Sequence, residues 1–286
     1  MDGAGAGGSR TRVRGRGQCP THDGRHREDV APRIDNPYWR EFRRALDAPL
    51  DGDDARRVRR GADPELIVAS RARRRRDQLV HRYAWAVPSN RVIHRLATLG
   101  PLVEVGAGGG YWAHLIDAAG GDILAYDVAP PGEAANPWYD GSPWHPVHRG
   151  GPEVAGEHPE RTLLLCWPPF DAPVARRALE SYRGNRVVYV GEDAMGCTAE
   201  RGFFTRLEDE WVPVARWSIP QWPGLHDALR IYRRRQDGAV LPRRGSSGGE
   251  AVGARGGVRG RRARVVGQVV SDRGDLELQG DLLADE

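Results

Sequence analysis

Apolar positions along this chain fall into short runs, separated by amphipathic stretches and by turns rich in Gly, Pro and Asp. Short apolar runs bounded by turns read as buried strands. Apolar residues recurring every three to four positions read as helices that cover a sheet. Strands are accordingly expected at 102–106, 123–127, around 145–148, 162–166, 186–190, 211–218 and 227–233. Helices are expected at about 90–98, 111–119, 172–182 and 199–208. The alternation predicts an α/β fold built on a mostly parallel, Rossmann-like sheet. The last two strands follow one another across a tight Pro-rich connection, so the sheet should finish with a reversed strand. Upstream, Tyr38 to Phe42 opens one amphipathic helix and Pro64 to Leu79 forms a second. Asp63 stands where a helix cap belongs, with Pro64 in the first turn.

The pattern divides the chain into four parts. Residues 1–37 contain no Phe, Tyr or Trp and are rich in Gly, Arg and Asp, so they cannot bury enough apolar surface to offset chain entropy and should be disordered. Residues 38–78 form the helical extension and 79–236 the α/β domain. Residues 237–286 again lack aromatics and read as a disordered Gly/Arg-rich tail, with at most a short strand at Val265 to Val270. The arginine run Arg71 to Arg76 reads as a solvated helix face.

Charge narrows the choice of partner. The 286-residue chain has a pI near 9.2 and a net charge of +4, and all 43 of its basic residues are arginine. Between Leu79 and Arg235 there are 16 Arg against 18 Asp plus Glu, so the positive excess lies in the flanks. Basic flanks supply salt-sensitive, non-specific attraction and do not build a site, which disfavours nucleic acid and favours a small-molecule substrate. Cys19, Cys166 and Cys197 are too widely spaced for a metal site and fit free thiols in a reducing compartment. No run has the length of a membrane span or of a signal-peptide core, so a cytoplasmic location and no membrane partner are expected.

The chemistry concentrates between Leu102 and Asp127. A buried strand there leads into Glu104-x-Gly106-x-Gly108-x-Gly110, then a helix opening at about Tyr111, then a second strand ending in Asp127. Glycines let the backbone turn sharply and approach a ligand closely, and the free N–H groups at the helix start favour acceptor atoms. A dinucleotide fingerprint would need a small residue where Tyr111 stands, so that pattern fails. The acidic residue followed by three alternate glycines resembles the first motif of class I S-adenosylmethionine (SAM)-dependent methyltransferases. That resemblance implies SAM as cofactor. Glu104, Gly106, Gly108, Gly110 and Tyr111 would cradle it, and Asp127 would accept both ribose hydroxyls. It also implies that residues 79–236 are the SAM-binding domain.

Ligands of open α/β sheets sit beyond the carboxyl ends of the parallel strands. The fourth-strand loop there, Cys166-Trp167-Pro168-Pro169-Phe170, is similar to the Asp/Asn/Ser-Pro-Pro-Tyr/Phe motif of methyltransferases that modify nitrogen. The resemblance implies a hydrogen-bonding role for the carbonyl of Pro168 and a stacking role for Phe170. Trp167 departs from the motif, because an indole donates and cannot accept from an amine. Within the family the chain looks most like small bacterial methyltransferase-like proteins carrying Trp-Pro-Pro. Trp112, Trp138, Trp144, Trp167 and Trp222 fall near these loops and could wall a pocket for a planar or cationic group, Trp167 and Trp222 foremost. His226 and then Glu192 are the candidate general bases. Cys197 is a thiol with nothing nearby to activate it. Two other readings remain: a SAM-binding module that transfers nothing, acting as sensor or scaffold, and a nicotinamide enzyme. The Tyr at the third fingerprint position and the antiparallel finish count against the latter.

Overall fold

A computed structural model describes residues 33–133 and 135–235. The expectations for 1–32 and 236–286, including the strand at Val265 to Val270, lie outside the described residues. The strands β1 (Leu102–Val105), β2 (Ile123–Asp127), β3 (His148–Arg149), β4 (Thr162–Cys166), β5 (Arg186–Gly191), β6 (Trp211–Ser218) and β7 (Ala228–Arg234) form one sheet. Their order is β3-β2-β1-β4-β5-β7-β6. The first five strands run parallel, while β7 is inserted antiparallel between β5 and β6. This is the mixed Rossmann-like sheet with one reversed strand that the apolar pattern predicts. The order turns back at β1, which lies between β2 and β4, and such a switch point opens a crevice at the strand ends.

Alternate side chains of the central strands feed two cores. Leu164, Val188 and Val190 point to one face, where α4 (Asn90–Ala97) and α5 (Tyr111–Ala118) pack. Leu163, Leu165, Val187 and Tyr189 point to the other, covered by α6 (Val174–Ser181) and α7 (Arg201–Glu210). A strand buried on both faces has to be apolar throughout, which is why these runs stand out in the sequence.

The N-terminal helices are α1 (Pro37–Asp47), α2 (Gly52–Arg59) and α3 (Pro64–Val80), one more than the two expected. Asp51 caps the unforeseen α2 by accepting the N–H groups of Asp53 and Asp54, both at 2.9 Å. Asp63 caps α3 through the Glu65 N–H, 2.8 Å, with Pro64 in its first turn as anticipated. Tyr38, Phe42, Ala72 and Leu79 join the same core as α4 and α5. Ile34 and Asn36, which fall inside the segment 1–37 expected to be disordered, are buried. Asn36 caps α1 through the Trp39 N–H at 3.0 Å, donates to the Pro88 carbonyl at 2.8 Å and accepts the Tyr111 hydroxyl at 2.9 Å. Such a buried amide is tolerated only because its donors and acceptor are matched.

The expected strand around 145–148 shrinks to His148–Arg149. Pro137, Pro143 and Pro146 lack the N–H that a ladder needs, so the segment before it runs as a loop. A 3-10 turn at Pro152–Glu157, not anticipated, begins with proline in its first position.

Candidate functional site

A cavity of about 520 Å³ lies at the carboxyl ends of β1, β2 and β4, in the range of small-molecule sites. One wall is the glycine loop. Gly106, Gly108 and Gly110 hold φ of +79°, +54° and +73°, the left-handed region where a side chain is strained. The N–H groups of Gly106 and Ala107 both donate to the Tyr126 carbonyl, at 2.9 and 3.0 Å, which ties the loop to β2. A Cβ on Gly106 would meet no protein atom within 4 Å, and this residue lines the cavity. Gly109, absent from the alternate-glycine pattern, has its own reason: a Cβ there would fall inside the ring of Tyr139, which covers the loop.

Asp127 ends β2 and is buried. Its Oδ2 accepts the Gly108 N–H at 2.8 Å, and its Oδ1 accepts the Ala129 N–H at 2.9 Å and Asn136 Nδ2 at 3.2 Å. The carboxylate is thus fixed in orientation toward the loop, with Asn136 as the one side-chain donor on it. Glu104 on β1 also lines the cavity, and its Oε2 is buried with no hydrogen-bond partner. Burial, reinforced by the charge of Asp127, pushes the Glu104 carboxyl up to about 8. At neutral pH this group is mostly protonated and presents an O–H into the cavity.

The loop after β4 forms the opposite wall. Trp167 has φ of +51°, a strained value for a bulky residue, and its N–H donates to the Val190 carbonyl at 2.8 Å. Its indole donates to Asp227 Oδ1 at 2.8 Å. The donor that breaks the nitrogen-methylating motif therefore has a carboxylate of its own from the start of β7. Asp227 is 1 % exposed, and burial pushes its carboxyl up to about 6 despite that indole N–H. The Pro168 carbonyl accepts the Ala199 N–H at 2.8 Å, so the acceptor that the motif resemblance reserves for a substrate is already engaged. Phe170 lines the cavity and is exposed at its mouth, where a planar group can stack on it.

Other expected site residues lie elsewhere. Tyr111 does not line the cavity: it is buried, its hydroxyl bonds Asn36 and the Tyr38 N–H, and it serves the attachment of α1. Gly110 is set back from the cavity beneath His145 and Val147. His226 does not line the cavity and its side chain is 83 % exposed. Glu192 is held by backbone, Oε2 by the Cys197 N–H at 2.8 Å and Oε1 by the His226 N–H at 2.9 Å. Burial opposes its ionisation, but these donors outweigh burial and keep the carboxyl below its usual value. It is a clamp between the β5 and β7 loops, poorly suited to take a proton. Trp222 is core: its ring meets Phe42 edge-on at 4.8 Å, and its indole donates to the Tyr38 hydroxyl at 3.2 Å. Trp144 likewise packs on Tyr83 and Tyr111, whereas Trp112, Trp138 and Trp167 do line the cavity. The Cys197 thiol is pushed up to about 11, chiefly by burial and then by Glu192, and is not activated.

Several cavity residues escaped the sequence reading: Asn136, Tyr139, Trp85 and Arg76. Trp85 stacks on Trp167 with ring centroids 5.2 Å apart. The arginine run of α3 is not uniformly solvated. Arg71 pairs with Asp54 at 2.9 Å, Arg75 pairs with Glu41, and Arg76 turns inward. The available signal was helical phase, since Ala72, Arg76, Leu79, Val80 and Tyr83 share one face. Among the described residues no group of His, Cys, Asp and Glu could hold a metal ion, and no helix is long and apolar enough to cross a membrane.

No family model matches this chain, and no curated protein matches it. Solved structures do. The chain is similar to the 1,6-didemethyltoxoflavin-N1-methyltransferase of Burkholderia thailandensis bound to 1,6-didemethyltoxoflavin and S-adenosylhomocysteine (SAH). Identity there is 18 % over 51 % of this chain and 76 % of that one, with a TM-score of 0.33. It is similar to the N-methyltransferase NodS of Bradyrhizobium japonicum, with 13 % identity over 51 % of this chain and 94 % of that one, TM-score 0.35. The SAM-dependent methyltransferase SibL in its apo form aligns with 14 % identity over 70 % of this chain and 69 % of that one, TM-score 0.36. Scores of this size leave the fold to be read from the strand order and register given above.

Proposed function

We propose that this chain is a SAM-dependent methyltransferase acting on a small acceptor. The observation that carries the reading is one cavity at the switch point of the sheet that joins three things: the Gly106–Gly108 turn, the unpartnered oxygen of Glu104, and Asp127 at the end of β2. These residues fit the cofactor chemically. The open space over Gly106 admits a ligand backbone, Asp127 can exchange its Asn136 bond for a ribose hydroxyl, and the mostly protonated Glu104 carboxyl can donate to an acceptor atom of the cofactor. Bound SAM would supply an electrophilic methyl group. The chain's own share is to bind, orient and exclude water. Trp85, Trp112, Trp138 and Trp167 wall off solvent, Phe170 stacks at the mouth, and the strained Trp167-Pro168-Pro169 turn fixes the far wall. The cavity volume favours a small acceptor over nucleic acid.

The test is calorimetric titration of the full chain with SAM, SAH and NAD, followed by transfer of labelled methyl to candidate acceptors. Micromolar binding of SAM and SAH, with none of NAD, is expected. Asp127→Asn should weaken SAH binding by about ten-fold or more, the loss of a charge-assisted hydrogen bond. Unchanged affinity would overturn the assignment of Asp127.

One observation favours a second reading, a SAM- or SAH-binding module without transfer. The Pro168 carbonyl and both Glu192 oxygens are engaged by backbone, and His226 stands outside the cavity. Label appearing in any acceptor pool would exclude that reading.

A further inference from the structure

Among the described residues Arg76 is the one cation lining the cavity, and it has no ion-pair partner there. Its Nε and Nη2 are shut off from solvent and have no hydrogen-bond partner, and no described acid lies within ion-pairing distance of it. The guanidinium rests against two indoles, with Cζ 5.1 Å from the Trp85 ring centre and 5.2 Å from that of Trp167. Cation–π attraction offsets part of the desolvation of a charge, but guanidinium N–H groups still want acceptors in the ring plane. Arg76 is partly buried, and a cation with two N–H groups shut off from water and unbonded is costly to keep unless a ligand completes it.

Asp227, the acid on which the charge of Arg76 acts, is committed elsewhere, giving Oδ1 to the Trp167 indole. The position of Arg76 also separates it from the proposed cofactor wall. It stands on Trp167, and its charge acts on Asp227 and Cys197, at the β7 and β5 ends, whereas Glu104 feels chiefly the charge of Asp127.

We infer that Arg76 is the anchor for a carboxylate carried by the methyl acceptor, and that Trp85 and Trp167 beside it receive the planar body of that acceptor. The substrate class is an aromatic or otherwise planar carboxylic acid. The choice of acceptor over cofactor as the source of the carboxylate rests on the methyltransferase reading of the cavity. Arg76 acts here in binding and takes no part in proton transfer.

The test uses the full chain with and without saturating SAH, titrated by tryptophan fluorescence with benzoate, 1-naphthoate and indole-3-carboxylate, each against its carboxamide. At least one acid should bind about ten-fold or more tightly than its amide. Arg76→Gln should abolish that preference and Arg76→Lys should retain part of it, while SAH affinity stays the same in all three proteins. No acid-over-amide preference in the wild type would overturn the inference and leave the SAM reading intact if SAH still binds. A ten-fold loss of SAH affinity in Arg76→Gln would also overturn it, assigning the guanidinium to the cofactor's own carboxylate. An acid preference that depends on Arg76 in a protein that binds no SAH would support the anchor and sink the methyltransferase reading. Arg76→Met gives an independent check without ligand. An orphaned charge replaced by an apolar side chain of similar reach should leave the melting temperature unchanged or higher. A clear drop would show that Arg76 has a structural partner, and would refute the premise.

Discussion

Glu104→Gln should remove a pH dependence of stability that the wild type carries in its central strand. Glu104 is 2 % exposed and its carboxyl is held at about 8, against 4.5 for the free group. Below pH 4.5 both folded and unfolded chains carry the proton, so this group contributes nothing. Between 4.5 and 8 the folded state keeps a proton that the unfolded state has released, and stability therefore falls as pH rises through this window. Above 8 the loss is complete. At 1.36 kcal/mol per pH unit, the shift amounts to roughly 5 kcal/mol across the window. Against a typical total stability of about 5–15 kcal/mol, that is a large term. Glutamine keeps the shape and removes the proton equilibrium. Urea denaturation of wild type and variant from pH 5 to 8.5 measures the effect as the difference of the two stability curves. That difference cancels Asp227 and every other titrating group that is not coupled to Glu104. The variant should gain on the wild type steadily with pH, by several kcal/mol at the top of the range. Parallel curves would refute the reasoning, because they would mean that Glu104 is ionised in the folded state or paired with a donor.

Gly109→Ala would drive a Cβ into the Tyr139 ring and should cost about 1–3 kcal/mol, with loss of SAH binding as the loop cover shifts. Calorimetry and melting temperature check this, and adding Tyr139→Ala should restore most of the stability; a single variant as stable as wild type would show that the loop yields freely. Trp167→Phe keeps a ring in the stack but takes the indole donor from Asp227, a loss of about 1–3 kcal/mol for a buried acceptor. Without that donor the Asp227 carboxyl rises further above 6, so the variant's deficit should be larger at pH 8 than at pH 5. Melting curves with equal deficits at both pH values would exclude the pairing as its source.

The sheet and one wall of the cavity were legible in local stretches of sequence. Leu163 to Leu165 and Val187 to Val190 had to be apolar throughout because a central parallel strand is buried on both faces, and that requirement is local. The Gly106–Gly108 turn and Asp127 were legible for the same reason. Backbone freedom at fixed spacing, and an acid at a strand end, are properties of one short segment. Which elements meet was not legible in any such stretch. Asn36 reaches Tyr111 across 75 positions, Trp167 finds Asp227 across 60, and Trp222 finds Tyr38 across 184. Glu192 became a clamp because the His226 N–H from the turn before β7 joined the Cys197 N–H of its own loop at its oxygens, and Arg76 faced the cavity where Trp85 and Trp167 met beside it. Periodicity tells which side of a helix or strand faces inward. The charge state and occupation of a side chain depend on what packs against it from elsewhere in the chain, and that is set by the three-dimensional arrangement alone.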